Sequence, residues 1–490
     1  MKTIKCILVN LRGGTRKAGS LGCANVFEPL GLLYLSAYIK NIDGVQCNVI
    51  HQIDQCHDEI IQQIRDERPD IVGFSTLTVT INSVLSITKI LKNHLPNLVT
   101  ILGGDHVTAE PGVVQHDYVD FVIRGEGELP LAMLVKRLRD EETTEDIPGL
   151  SYYGNDGLVN NPRSKNTINI DQLPLPDRKA QYLKHTRVGG LMNPFMSEQH
   201  SVAMVSATRG CPFKCSFCNN KLMWQQNHRA REPEMVVDEL ELLVKKFGTN
   251  TVFFSDLTFN ASKLYTLELC RALITRDLPV HWYAMCNIHL MDQELSETMA
   301  RAKCSKIGFG IESFIPATMD GGKGKISLKF ETTNKLLKMI NANGIFTKGY
   351  FIIGFPWETK KMLDLLREKL SHLDAHEVRI AYYVPFVGTE GYSMHKHLID
   401  DWDLDYWSCL DRPILTIQHM TKTDIQDQRQ KLYDSFYKSP SWRPRIIKIA
   451  EEHWHLASPV RDFLNSIEPQ LPQLRSYCAY QLQTQTAVNQ

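Results

Sequence analysis

Through the first third of the chain, short apolar runs alternate with stretches whose apolar residues recur at helical spacing. Residues 5–9, 46–50, 71–75, 99–103 and 121–124 read as buried strands. Between them, 30–39, 56–67, 82–94 and 129–139 read as helices, with Leu85, Thr88, Ile90 and Leu91 expected on one face of the third. This alternation predicts a parallel sheet with helices on both sides. The predicted strands end in small or polar residues: Asn10, Ser75-Thr76, Gly103-Gly104 and Gly125-Glu126-Gly127-Glu128. Ligands of a doubly wound sheet bind beyond its carboxyl ends, so a large ligand could approach backbone here.

Pro148 to Tyr153 followed by Gly154-Asn155-Asp156-Gly157 predicts a small hairpin. Leu173-Pro174-Leu175-Pro176-Asp177-Arg178 predicts a stiff, extended linker, because each proline restricts itself and its predecessor. Gly189-Gly190-Leu191-Met192-Asn193-Pro194 reads as a mobile approach to the next domain. A second alternating series then begins, with strands at 202–206, 251–255, 281–284, 306–310, 347–353 and 377–384. Helices separate them at 234–247, 262–275, 293–302, 330–343 and 360–373. Segments 422–438 and 444–458 are helical in composition, and the polar tail 481–490 is expected to be disordered. The expected domains are 1–145, a connector at 146–199, 200–400, and a mainly helical extension at 401–490.

Composition narrows the function classes. A chain of 490 residues exceeds one ordinary core. Its 43% apolar and 22% charged residues are those of a folded soluble protein. Lys plus Arg equals Asp plus Glu at 55 each, so no global field favours nucleic acid or an anionic membrane. No apolar run approaches the roughly 18–20 residues that span a bilayer. The first ten residues read as a strand and not a signal peptide. Twelve cysteines without a secretion signal fit a reducing cytoplasm.

Three of those cysteines stand apart, in Gly210-Cys211-Pro212-Phe213-Lys214-Cys215-Ser216-Phe217-Cys218. CxxxCxxC spacing fits one tight loop, and three thiolates can hold three corners of a cubane iron–sulfur cluster. The fourth iron is then open to a small molecule. A zinc site usually takes four protein ligands in paired arrangements, and no second pair lies nearby. This stretch resembles the cluster loop of the radical S-adenosylmethionine (SAM) superfamily. The resemblance implies a [4Fe-4S] cluster on Cys211, Cys215 and Cys218, with SAM chelating the open iron and Phe217 beside the cofactor. The same cysteines are the expected catalytic and metal-binding residues.

Further upstream, Pro29-Leu30-Gly31-Leu32-Leu33-Tyr34-Leu35, Leu102-Gly103-Gly104-Asp105-His106-Val107-Thr108 and Asp120 to Glu128 together resemble the cobalamin-binding domain of cobalamin-dependent radical SAM enzymes. The resemblance implies cobalamin contacts from Ser75, Thr76, Gly103, Gly104, His106, Gly125 and Glu126. The chain lacks the DxHxxG signature of proteins that ligate cobalt through histidine. His106 is therefore expected to be a turn residue beside the ring and not an axial ligand.

Four later strand ends also resemble the radical SAM superfamily. Phe253 to Phe259 matches the second-strand motif, with Leu257 where a second acid is usual, so only Asp256 carries over as a SAM contact. Gly308 to Ser313 resembles the Gly-Ile-Glu-Ser segment and implies SAM contacts from Glu312 and Ser313. Lys348 to Thr359 resembles the fifth-strand segment, with Trp357 in place of glycine. Val384 to Glu390 resembles a Pro-Gly-Thr loop, with Val387 in place of proline. The implied fold class is α/β: a doubly wound Rossmann-like cobalamin domain, a partial (β/α)6 radical SAM barrel with its chemistry at the strand carboxyl ends, and a helical extension shaping the substrate cleft. Trp402, Tyr406 and Trp407 could line a pocket there, although packing aromatics are commoner.

The resemblance implies a methyltransferase acting on an unactivated carbon, or on phosphorus, of a small molecule through methylcobalamin and a 5′-deoxyadenosyl radical. A cyclase or ring-rearranging enzyme with the same cofactors is the alternative, and a non-enzymatic cobalamin or SAM sensor a third reading. A methylthiotransferase is disfavoured, since Cys6, Cys23, Cys47 and Cys56 form no compact second cluster pattern. Expected partners are the substrate and an electron donor such as flavodoxin or ferredoxin, with no nucleic acid and no membrane.

Overall fold

The structure, a computed structural model, describes residues 3–12, 25–53, 55–164, 168–179, 187–188, 202–317 and 328–452. The expected mobile approach at 189–194 and the tail at 481–490 lie outside them.

The first sheet is built from β1 Ile4–Asn10, β2 Val45–His51, β3 Ile71–Ser75, β4 Val99–Gly103, β5 Phe121–Ile123, β6 Leu150–Gly154 and β7 Gly157–Asn160. Its order is β2-β1-β3-β4-β5-β6-β7, parallel through β5 and antiparallel thereafter. The order reverses between β1 and β3, which opens a crevice at the carboxyl ends of the strands. Apolar clusters cover both faces, one holding Ile7, Val72 and Leu102, the other Leu8, Ile71 and Ile101. The period-2 alternation of a strand sends neighbours to opposite faces. The predicted hairpin turns at Asn155-Asp156 and extends this sheet, so the segment read as connector completes the first unit.

Helix Ile81–His94 buries Ile81, Val84, Ile87, Thr88 and Leu91. The expected face was offset, since Leu85 and Ile90 sit at its rim, half-buried. A short helix unread in the sequence, Asp105–Ala109, follows β4 directly.

The second sheet is built from β8 Val202–Val205, β9 Thr251–Phe254, β10 His281–Cys286, β11 Cys304–Glu312, β12 Phe346–Ile353 and β13 Glu377–Tyr382. All six are parallel and lie in sequence order, and β8 and β13 remain edges, so the barrel is open. An open edge carries unpaired backbone N–H groups. Here the helix Lys422–Tyr437 covers it: the Tyr437 and Tyr433 hydroxyls accept from the N–H groups of Val378 and Ile380 at 3.3 and 2.9 Å. The Cys409 carbonyl accepts from Tyr382 N–H at 2.6 Å.

The extension's aromatics pack and do not line the interdomain cavity described below. Trp407 is fully buried, its indole donating to Asp401 O at 2.9 Å, while Trp402 stays exposed against it. Tyr406 stacks under the Arg412 guanidinium at 3.9 Å, and neighbouring Asp405 accepts from Asn82 of the first unit at 3.2 Å. No helix among the described residues is long and apolar enough to cross a membrane.

Candidate functional site

The cysteine loop leaves β8 through a turn that fixes its shape. Gly210 has φ +84°, and a Cβ there would lie 1.8 Å from Asn227 O, so only glycine fits. Asn220 Nδ2 donates to Cys211 O at 3.0 Å, and Gly391 N–H to Ser216 O at 2.9 Å. Cys211 Sγ lies 3.4 Å from Thr258 Oγ1. All three cysteines are half-buried and in no disulfide. Burial pushes the Cys218 thiol up, and the charges of Cys211, Glu312 and Asp105 add to the effect. No three His, Cys, Asp or Glu side chains among the described residues converge as a single-ion site does. One loop supplies three thiols, the ligand type of an iron–sulfur cluster.

Asp256, at the end of β9, is fully buried, and its carboxylate is spent on the approach to this loop. It accepts from Thr208 Oγ1 at 2.5 Å, from Thr208 N–H and from Ala207 N–H at 3.2 Å. Burial outweighs those donors and pushes its carboxyl up to about 6. These contacts are all to the approach to the loop, at Ala207 and Thr208. Glu312 ends β11 at a bulge with φ +63°, a left-handed conformation rare outside glycine and frequent at functional sites. Ser313 is buried, its hydroxyl accepting from Ile315 N–H at 3.1 Å, and Phe217 packs half-buried against the barrel core.

The carboxyl ends of both sheets face one cavity of about 580 Å³. Ser75, Gly103, Gly104, Gly125 and Glu126 line it from the first unit; Ser206, Arg209 and Gly210 line it from the barrel. Seven glycines contribute to its wall, counting Gly31, Gly73 and Gly127 with the four just named. A Cβ at Gly31 would meet nothing within 4 Å, so that helix face is bare backbone turned to open space. Glycines with apolar Leu30, Leu77 and Ile123 between them make a cradle in which a flat macrocycle can lie against backbone.

Two expected contacts do not reach this cavity. Thr76 is fully buried, its hydroxyl and N–H both donating to Gly103 O at 2.7 Å, so it pins two strand ends together. The unpredicted short helix turns His106 away from the cavity, with Nδ1 3.2 Å from Thr78 Oγ1, and burial lowers its pKa to about 4. Glu126 borders the cavity but is engaged as a tether, pairing with Arg209 at 3.1 Å and Arg229 at 2.7 Å across the two units.

Inside the barrel is a second concavity. Strands of a covered parallel barrel are normally buried on both faces. Yet Met285, Gly310, Tyr350, Ile352 and Ala381 are only half-buried, while the alternate residues Ala284, Phe309, Phe351, Ile353 and Ile380 are buried. The inner wall thus opens to a cleft at the strand carboxyl ends. Its floor holds Tyr283, whose hydroxyl lies 3.0 Å from that of Tyr350, and Glu377, paired with Lys306 at 2.7 Å and Lys348 at 2.5 Å. Sequence reasoning missed these floor residues; a signal was present in the charged residues alternating with apolar ones in Glu377-Val378-Arg379-Ile380.

The B12 binding domain family matches residues 22–135, and the Radical SAM superfamily matches residues 205–370. The chain belongs to the cobalamin-dependent radical SAM family. It is a radical SAM enzyme, and that family works with cobalamin, a [4Fe-4S] cluster and SAM. An uncharacterized methyltransferase of Pyrococcus horikoshii is 28% identical over 92% of this chain and 96% of its own length. The anaerobic magnesium-protoporphyrin IX monomethyl ester cyclase of Rubrivivax gelatinosus is 25% identical over 92% of this chain and 81% of its own. The fold is that of the radical SAM methyltransferase TsrM from Kitasatospora setae, solved with cobalamin and a [4Fe-4S] cluster: TM-score 0.66, 19% identity, 81% of this chain and 78% of that one.

Proposed function

We propose that this enzyme is a methyltransferase that places a methyl group from SAM on an unactivated carbon, or on phosphorus, of a small-molecule substrate. The observation that carries the reading is the shared cavity: glycine-rich strand ends of the first sheet face Arg209 and Gly210, and Cys211 follows them directly. A methyl-carrying corrinoid in the cradle and SAM on the cluster would supply, respectively, the methyl donor and the hydrogen-abstracting radical.

In this reading Cys211, Cys215 and Cys218 hold the cluster as thiolates. Thr258 supports Cys211, and Asp256 fixes the entry to the loop through Ala207 and Thr208. Gly31, Gly103, Gly104 and Gly125 let the corrinoid approach backbone, with Ser75 at its edge. Glu312 and Ser313, at the end of β11, would border SAM, and Phe217 would pack beside the cluster. The barrel cleft receives the substrate, shielded from water by the first unit. His106 faces Thr78 and not the cavity, so it would not reach a corrinoid held there. An electron donor of the flavodoxin or ferredoxin type is needed to reduce the cluster.

A second reading, a cyclase using the same cofactors, is favoured by the Rubrivivax gelatinosus relative, which is named a cyclase and matches over nearly the whole chain. The test uses anaerobically reconstituted, cobalamin-loaded protein with reductant and methyl-labelled SAM. The methyltransferase is expected to yield deoxyadenosine, S-adenosylhomocysteine and labelled methylcobalamin together. Deoxyadenosine without the other two overturns methyl transfer and favours the cyclase.

A further inference from the structure

The floor of the barrel cleft holds a buried arginine, Arg379, whose side chain has no partner among the described residues. Arg379 lies on the same inward face of β13 as Glu377 and Ala381, one residue from each along that face. Its register partner on β12 is Tyr350, half-buried in the wall of the cleft. Glu377 is paired with Lys306 at 2.7 Å and Lys348 at 2.5 Å, and no ion pair joins it to Arg379. Arg379 is 6% exposed, its side chain makes no hydrogen bond or ion pair among the described residues, and its Nη1 is buried without a partner.

A buried guanidinium with five donors and no acceptor is costly unless something else satisfies it. Its neighbours deepen the deficit: the charge of Arg379 reaches Lys348, Tyr350 and Tyr283. Glu377 pairs with Lys306 and Lys348, whose ammoniums burial makes easier to deprotonate, Lys348 down to about 7, and no ion pair joins it to Arg379 among the described residues. Salt from solvent screens such a site poorly. A planar fork of this kind matches a carboxylate or a phosphate, two oxygens at a time.

We propose that the substrate of this enzyme carries an anionic group, a carboxylate or a phosphate, which enters the barrel cleft and is held by Arg379 beside the Tyr350 hydroxyl. The anion anchors one end of the substrate on the floor and leaves the reacting atom nearer the strand carboxyl ends. This rests on the reading that substrate occupies the barrel cleft.

The test uses full-length, cluster-reconstituted protein as wild type, Arg379→Met and Arg379→Lys, with inorganic phosphate and acetate as probes against a chloride control of equal ionic strength. Arg379→Met is expected to raise the thermal midpoint of the anion-free protein by a few degrees, since it removes an unpaired buried charge. Wild type is expected to gain stability saturably from at least one probe, Arg379→Lys less, and Arg379→Met nothing beyond chloride. Equal responses in wild type and Arg379→Met overturn the proposal, as does an Arg379→Met protein that is less stable or fails to fold, which makes the arginine structural. A parallel SAM titration separates the source of the anion. A dissociation constant within threefold of wild type supports a substrate anion, and a loss of tenfold or more assigns the site to the carboxylate of SAM and overturns it. Neither titration involves methyl transfer or SAM cleavage, so this result and that of the labelled-SAM assay fail independently.

Discussion

Arg178 of the Leu-Pro-Leu-Pro linker donates through Nη1 to Glu239 Oε1 at 2.6 Å, and both side chains are almost wholly withdrawn from solvent. The same guanidinium meets Glu28 Oε2 of the first unit at 3.2 Å and also donates to Met204 O of β8. Burial works against its charge, yet the two carboxylates hold its pKa above the usual arginine value. Arg231 completes the network on Glu239 at 2.5 Å. The linker is therefore a clamp holding the two carboxyl-end faces against one cavity.

Removing one partner of a buried pair strands the other charges. Arg178→Met is expected to cost about 3–5 kcal/mol and to separate the unfolding of the two units. Denaturant unfolding of the apoprotein checks this, with a single unshifted transition as the contrary result.

Gly210→Ala is expected to keep the fold and lose the cluster. Its Cβ would overlap Asn227 O at 1.8 Å, on a backbone already at φ +84°. Circular dichroism should be little changed, while iron and sulfide per chain fall at least twofold. Full cluster occupancy in the variant would contradict this account of the loop.

His106 makes the first unit acid-labile. Its folded pKa is lowered to about 4 by burial, from an ordinary value of 6.5. The unfolded chain therefore takes up a proton as pH falls through 6.5 while the folded one resists. Stability present above pH 6.5 is lost toward pH 4, by about 3 kcal/mol at most. His106→Gln, which can still reach Thr78, should flatten that slope in denaturation curves collected across this window. An unchanged slope would assign the acid lability elsewhere.

Gly31→Phe should test the cradle. A side chain there meets no protein atom at its root and projects into the cavity. The variant is expected to fold with an unchanged thermal midpoint and to bind cobalamin at least tenfold more weakly. Wild-type affinity would place the corrinoid away from this helix face.

Much of this protein was legible one residue at a time. Period-2 and helical spacing marked both sheets, because burial on a covered sheet or a helix face leaves a local signature. The cysteine loop was legible because its three donors lie within eight residues, Cys211 to Cys218. That Thr76 and His106 do not line the cavity was not legible, because the short helix Asp105–Ala109 is too brief to show periodicity and turns His106 toward Thr78, while Thr76 is spent on Gly103.

What the sequence by itself determined was the order of elements, the six-strand series and the donor set, all properties of near neighbours along the chain. Only the tertiary structure decided how distant charges are matched. It committed Glu126 to Arg209 and Arg229, and it closed Arg178 onto Glu28 and Glu239. It also spent Glu377 on two lysines, leaving Arg379 without a partner among the described residues. The reason is physical: the cost of a buried charge depends on which groups fold against it, and those groups come from strands and helices far apart in sequence.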